Sequence, residues 1–295
     1  MAGGGLTGTL LCFGYGYCAA ALARRLLAKG WTIRGTTRSP DRLAAMRAQG
    51  VEPFLFDRDR PLPAAAFDGV GHALTSIAPD EAGDPVLDLH AADLRGTRWC
   101  GYLGTTAVYG NHDGGWVDET TPLQPSIARA DRRVLAEAAW LGSGLPAHIF
   151  RLAGIYGPGR NPLVNLERGT ARRIVKPGQV FSRIHVEDIA TTLEASMARP
   201  RPGAVYNVCD DEPAPPQDVV AFAARLLGVE PPPELPYDTA ELPPMARSFY
   251  RDNRRVRNGL IKRELGVHLA YPTYREGLRA LAGGGVPSAD PLSPG

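Results

Sequence analysis

The sequence predicts an α/β fold: a doubly wound parallel sheet with a small C-terminal lobe. Three observations predict it. Short apolar runs alternate with helical segments along the first half of the chain, the pattern of parallel strands joined by crossover helices. A glycine-rich turn links the first run to the first helix. Past Asp210, proline clusters at 213–216, 231–233 and 243–244 break the alternation. The division that follows is a core over residues 8–156, a lobe over 157–282 from which 183–209 return to the core, and a disordered tail over 283–295.

The elements follow in order. Residues 9–13 are an apolar run ending at Gly14, as in a strand buried on both faces. A helix over 18–28 comes next; Lys29 suits the negative end of its dipole and Gly30 its left-handed cap. The second strand is 31–36. Ser39 and Pro40 read as the N-cap and first position of a helix ending at Gly50. Strands are expected at 52–56, 72–77 and 99–103, with a helix at about 129–140. A sixth strand spans 147–152, the stretch 157–179 is loop-rich, 183–198 is a short strand and a helix, and 205–208 is another strand.

Lys plus Arg total 33 and Asp plus Glu 31, a formal net charge of +2. That balance speaks against a nucleic-acid binder, which carries a basic stripe, and against an acidic disordered chain. Of the basic residues only Lys29, Lys176 and Lys262 are lysines. Cys12, Cys18, Cys100 and Cys209 have no metal-site spacing, so free thiols in a reducing compartment and no metal are expected. Residues 2–23 carry no charge, but glycines interrupt them and no basic segment precedes them. They read as neither signal nor membrane span, and the expected location is the cytoplasm.

Gly14-Tyr15-Gly16-Tyr17-Cys18-Ala19 has the form G-x-G-x-x-A between a strand and a helix, the Rossmann dinucleotide fingerprint. Gly14 makes the tight turn. Gly16 lets backbone approach a pyrophosphate, which sits on the helix start at Tyr17 and Cys18, and Ala19 allows close packing. The second strand ends in Arg34 to Arg38 without an acid for a ribose 2′-hydroxyl. Arg38 can instead pair with a 2′-phosphate, so NADP is expected in preference to NAD. Asp57 is placed either to accept from the adenine amino group or to cap a loop.

Five segments occur in an order that resembles one family: Gly14 to Ala19, Thr105 to Gly110 (TTAVYG), Arg151 to Gly159 (RLAGIYGPG), Arg183 to Ala190 (RIHVEDIA) and Val205 to Val208 (VYNV). The chain resembles the extended short-chain dehydrogenase/reductases of the NAD-dependent epimerase/dehydratase type over about residues 8–282. The resemblance implies a Rossmann core, a lobe closing over a sugar-like substrate, often a nucleotide sugar, and hydride transfer at a carbinol or carbonyl carbon. It also implies a general acid/base tyrosine, a lysine four residues later that lowers its pKa, and a Ser or Thr bonded to the reacting oxygen. The Ser/Thr position falls on Thr105, with Thr106 second.

The tyrosine and lysine positions fall on Arg129 and Arg133, and none of the ten tyrosines has lysine four residues later. Arginine keeps charge and donors, so Arg133 can bind ribose hydroxyls, but Arg129 cannot act as a base. Tyr156 and His185 are the replacement candidates, with Tyr109 read as a packing residue. Arg160, Asn161 and Arg183 are expected in the substrate cleft, Asp188 at a helix start, and Arg251 to Arg257 on a solvated face. The resulting expectation is an NAD(P)-dependent oxidoreductase or epimerase/dehydratase-like protein acting on a sugar-like or small carbonyl substrate. A non-catalytic NADP-binding sensor or scaffold of the same fold is the alternative. A homodimer through the helices at 82–97 and 129–140 is left open.

Overall fold

The computed structural model describes residues 7–284. Seven strands form one parallel sheet: β1 (Thr9–Phe13), β2 (Thr32–Thr37), β3 (Val51–Leu55), β4 (Val70–Thr75), β5 (Trp99–Thr105), β6 (Ala147–Leu152) and β7 (Val205–Val208). Their order is β3-β2-β1-β4-β5-β6-β7, the doubly wound Rossmann arrangement with its switch between β1 and β4. Alternation along each strand makes two cores. Leu10 and Cys12 face one, with Leu74, Leu103 and Phe150; Leu11 and Phe13 face the other, with Ala73, Tyr102 and Ile149.

The helices are α1 (Tyr17–Leu27), α2 (Leu43–Ala48), α3 (Pro85–His90), α4 (Ala128–Gly142), α5 (Pro162–Glu167), α6 (Val186–Ala198), α7 (Pro216–Leu227), α8 (Pro244–Phe249), α9 (Gly259–Leu265) and α10 (Tyr274–Gly283). Helices α1 and α6 pack in the first core, and Ala136 and Trp140 of α4 in the second. Away from the sheet, α5, α7 and α10 bury Leu163, Val219, Phe222, Tyr274 and Leu278 together. No described helix is long and apolar enough to cross a membrane.

Several expectations need correction. The long helix expected over 82–97 is only the six-residue α3, whose N-cap Asp84 accepts from the amides of Val86 and Leu87. Ser39 precedes a 3-10 turn (Pro40–Arg42) but its side chain caps nothing; its own N–H donates to Thr37 Oγ1 (3.1 Å). The stretch 157–179 contains α5 and a short strand, Arg173–Val175. Helix α10 includes Gly283, where a tail was expected; residues 285–295 lie outside the described ones.

One buried charge cluster ties α4 to the sheet. Arg151 on β6 donates from Nε and Nη2 to Glu137 Oε2 on α4 (3.0 and 2.9 Å) and from Nη1 to Tyr109 Oη (2.9 Å). Tyr109 donates to Asn207 Oδ1 (2.7 Å), which lies on β7. Burial pushes the Glu137 carboxyl up and the Arg151 charge pulls it back, so removing one partner strands the other. Arg151→Met is expected to cost about 3–5 kcal/mol in urea unfolding. Adding Glu137→Leu to it recovers most of that loss; failure to recover shows that the pair is not what Arg151 stabilises.

Candidate active site

The β1–α1 turn starts the site. Gly14 has φ +81°, and its N–H donates to Thr36 Oγ1 (2.8 Å). A Cβ there meets Ser76 Oγ at 2.9 Å and Ile77 Cγ1 at 3.0 Å, so only glycine fits. Gly16 is the N-cap of α1, where a Cβ has nothing closer than Gly14 O at 4.0 Å. No side chain caps α1 and no acid lies in its first turn. An open helix start beside a glycine fits the pyrophosphate of a dinucleotide.

A cleft of about 960 Å³ opens from this turn along the C-terminal ends of the strands. Gly16, Tyr17, Cys18, Thr105, Arg133, Tyr156, Arg160 and Arg183 line it, so it gathers eight of the residues selected from sequence. Thr105 ends β5, and its Oγ1 accepts from the Ala107 N–H (3.2 Å), which leaves its own proton to donate. Arg133 Nη1 donates to Leu103 O and Tyr102 Oη, both at 3.1 Å. Arg183 Nη1 donates to Phe181 O (2.8 Å) and Ala214 O (3.1 Å). Five arginines line the cleft (129, 133, 160, 183 and 254) against one carboxylate, Asp252, and that one pairs with Arg254 at 3.2 Å.

No family model matches the chain. Protein YeeZ of Escherichia coli K12 is 31% identical over 244 residues, 74% of this chain and 84% of that protein. The 3-diazoavenalumate denitrifying reductase of a Streptomyces species is 30% identical over 182 residues, 55% of this chain and 58% of that one. A functionally unknown conserved protein from Silicibacter pomeroyi superposes with a TM-score of 0.87 at 60% identity, over 94% of this chain and 98% of its own. A Methylobacillus flagellatus structure assigned to the NAD-dependent epimerase/dehydratases gives 0.73 at 26% identity, over 94% and 98%. At 17% identity, the dTDP-glucose 4,6-dehydratase of Bacillus anthracis, solved in complex with NAD, shares the fold (TM-score 0.73, over 94% and 96%). The chain is a relative of YeeZ and is similar in structure to the NAD-dependent epimerase/dehydratase family of extended short-chain dehydrogenase/reductases.

Against the pattern of that family the departures are local. Arg129, where the tyrosine was expected, reaches across the cleft to α8: it bonds Met245 Sδ and Ser248 Oγ (the latter 3.1 Å), and its guanidinium lies 4.8 Å over the Phe249 ring. Tyr156 is buried, its hydroxyl 3.5 Å from Thr273 O. Burial, with Asp210 and Asp188 nearby, pushes that phenol far up, so it stays protonated at neutral pH.

His185 does not line the cleft. It is the N-cap of α6, Nδ1 accepting from the Glu187 N–H (3.2 Å). Asn161, also absent from the cleft wall, is fully engaged: Oδ1 accepts from Leu163 N–H (2.9 Å) and Val164 N–H (3.2 Å), and Nδ2 donates to Gly157 O (2.8 Å). Asp57 accepts from the Asp59 N–H (3.1 Å) within its own loop and lies outside the cleft. Arg38 is exposed at the end of β2.

The sequence reading missed Arg42, the setting of Arg254 and the partners of Asp188. Arg42 Nη2 donates to Tyr15 O (2.8 Å), placing an arginine against the glycine turn four residues after Arg38. Arg254 is not on a solvated face; it is half-buried in the cleft and donates to Gly110 O (2.7 Å). Asp188 does not cap its own helix but accepts from the amides of Ala270 (2.7 Å) and Tyr271 (3.1 Å). The arginine spacing 38/42 was a readable signal; the other two depend on contacts 82 residues or more away in sequence.

His185 gives a pH prediction. Burial pushes its imidazole down to about 4. Its folded value lies below the unfolded value of about 6.5, so its stabilisation is present above pH ~6.5 and lost as pH falls through 4. His185→Asn keeps a capping side chain without titrating. Urea unfolding at pH 7 and pH 4 should show the wild type losing about 3 kcal/mol that the variant keeps. Equal losses in both proteins refute the assignment.

Proposed function

We propose that the chain binds a nicotinamide dinucleotide, NADP(H) in preference to NAD(H), and carries out hydride-transfer chemistry on a small anionic carbonyl or sugar-type substrate, nucleotide sugars included. The observation that carries this reading is the charge of the cleft: five arginines and a single carboxylate, in a cavity that begins at the glycine turn. When bound, the nicotinamide supplies or accepts hydride. The residues of the chain do the rest. The start of α1 and Gly16 hold the pyrophosphate, and Arg38 with Arg42 receives a 2′-phosphate.

Arg183 faces an anionic substrate group. Thr105 donates its hydroxyl proton in a hydrogen bond to the reacting oxygen. Tyr156, kept protonated, can serve only as an acid. We assign the protein to the cytoplasm, a reading supported by four free, buried cysteines. We also assign it a homodimer through α4, which leaves Leu135 and Leu141 exposed.

A second reading, nucleotide binding without turnover, is favoured by one observation: the tyrosine position holds an arginine tied to α8. The two readings part in one experiment. NADPH and NADH titrations should show tighter NADPH binding, lost about tenfold in Arg38→Ala and Arg42→Ala (about 1.4 kcal/mol). With a panel of nucleotide sugars and anionic aldehydes or ketones, the wild type should oxidise NADPH. Thr105→Val should lose about two orders of magnitude in kcat at unchanged NADPH affinity. Binding without oxidation of NADPH by any of the panel supports the second reading, and equal affinity for the two cofactors removes the NADP preference.

A further inference from the structure

We propose that Arg160 is a cofactor residue rather than a substrate residue: it closes over the pyrophosphate at the start of α1, from a turn fastened onto that helix. This deepens the proposed function and rests on its dinucleotide site.

The turn is built rigidly. Gly157 and Arg160 exchange backbone hydrogen bonds, Gly157 N–H to Arg160 O (3.0 Å) and Arg160 N–H to Gly157 O (3.1 Å), so Pro158 and Gly159 form a tight tip. Behind it, Asn161 Nδ2 holds Gly157 O while Oδ1 caps α5. In front, Tyr17, the first residue of α1, donates its hydroxyl to Pro158 O (2.9 Å). The approach is so close that a Cβ on Gly157 meets Tyr17 Oη at 2.5 Å and Val186 Cγ1 at 2.8 Å. The backbone of Arg160 is thereby fixed beside the helix start that takes the pyrophosphate.

The side chain has what that position requires. Arg129, Arg133, Arg183 and Arg254 all give donors to protein oxygens. Arg160, among the described residues, makes no side-chain hydrogen bond or ion pair, lines the cleft and is exposed. Its full guanidinium fork is free for bidentate phosphate binding. Its charge lies close enough to Cys18, in the first turn of α1, to work against the burial that pushes that thiol up. A glycine turn alone offers a pyrophosphate backbone N–H groups and a helix dipole; here a mobile cation on a fixed base adds a counter-charge from the opposite side.

The test needs no substrate. Fluorescence or calorimetric titration with NADPH, ADP and 2′-AMP compares the wild type with Arg160→Ala and Arg160→Lys. The expected result is NADPH and ADP affinity falling about tenfold or more in Arg160→Ala. Arg160→Lys should fall between, and 2′-AMP, which has no pyrophosphate, should bind all three alike. Unchanged NADPH affinity in Arg160→Ala overturns the proposal while leaving the dinucleotide site intact. Equal losses for 2′-AMP also overturn it. Failure of the wild type to bind NADPH or NADH defeats the proposed function itself, a separate outcome.

Discussion

The close approach of three strand ends around Gly14 is the constraint on which the rest depends. Its amide is held by Thr36 at the end of β2, and Ser76, just past β4, fills the space where its Cβ would stand. Ser76 Oγ in turn donates to Gly14 O (2.6 Å). A positive φ at this point turns the chain straight from β1 into α1 and leaves the helix start facing the switch between β1 and β4. Every element that carries chemistry is placed from there. Thr105 stands at the end of β5, and the 157–160 turn locks onto Tyr17. Any side chain at Gly14 would push β4 from β1 and move the whole cleft mouth.

Charge is the second organising fact, and it is not visible in the total. A chain of net charge +2 concentrates five arginines against one carboxylate in one cavity, while its surface pairs are balanced, as in Arg25 with Glu194 and Arg58 with Asp80. A cleft with low-dielectric walls and one sign of charge attracts anions far more strongly than the same charges spread over a surface. Asp210 shows the cost. It is buried near Arg183 with Oδ2 lacking a partner, and burial pushes its carboxyl up to about 8 even against that cation. The anionic character of the proposed ligands follows from this imbalance, not from composition.

Much of the fold was legible because its signals are local. The strand at 147–152 and that at 205–208 match β6 and β7, and Gly30 and Gly50 both take the positive φ expected past helix ends. The cleft was legible as a set of motifs, since each sits at a strand end. What failed were segments whose structure is decided from afar. The 82–97 stretch was expected as one long helix, but it becomes helical only at Pro85, behind Asp84, which Trp140 Nε1 holds from α4 (2.9 Å), and the helix ends at His90. His185 resembles a catalytic histidine by motif, yet the chain turns its Nδ1 onto the next helix. Arg254 carries no sequence mark separating it from Arg251 or Arg257; only Asp252 and Gly110 draw it inward.

The loss of the tyrosine–lysine pair reaches further than two substitutions. Arginine at position 133 retains a cation near the cleft, but its guanidinium is spent on Leu103 O and on Tyr102, which lies in the second core and not on the cleft wall. It therefore stabilises a buried phenol that burial still pushes up to about 12. Arg129 turns the other way and grips α8, so the position where the acid/base tyrosine was expected joins the core to the lobe. The two arginines are thus anchored in opposite directions, one into the sheet and one into α8. A tyrosine restored at 129 alone would find no free cation beside it and would lose the contact that holds α8. Of the residues expected to act on substrate, Thr105 and Tyr156 are the ones that reach this cleft, and both are protonated at neutral pH. That favours reactions in which the chain donates a proton over those in which it must first remove one.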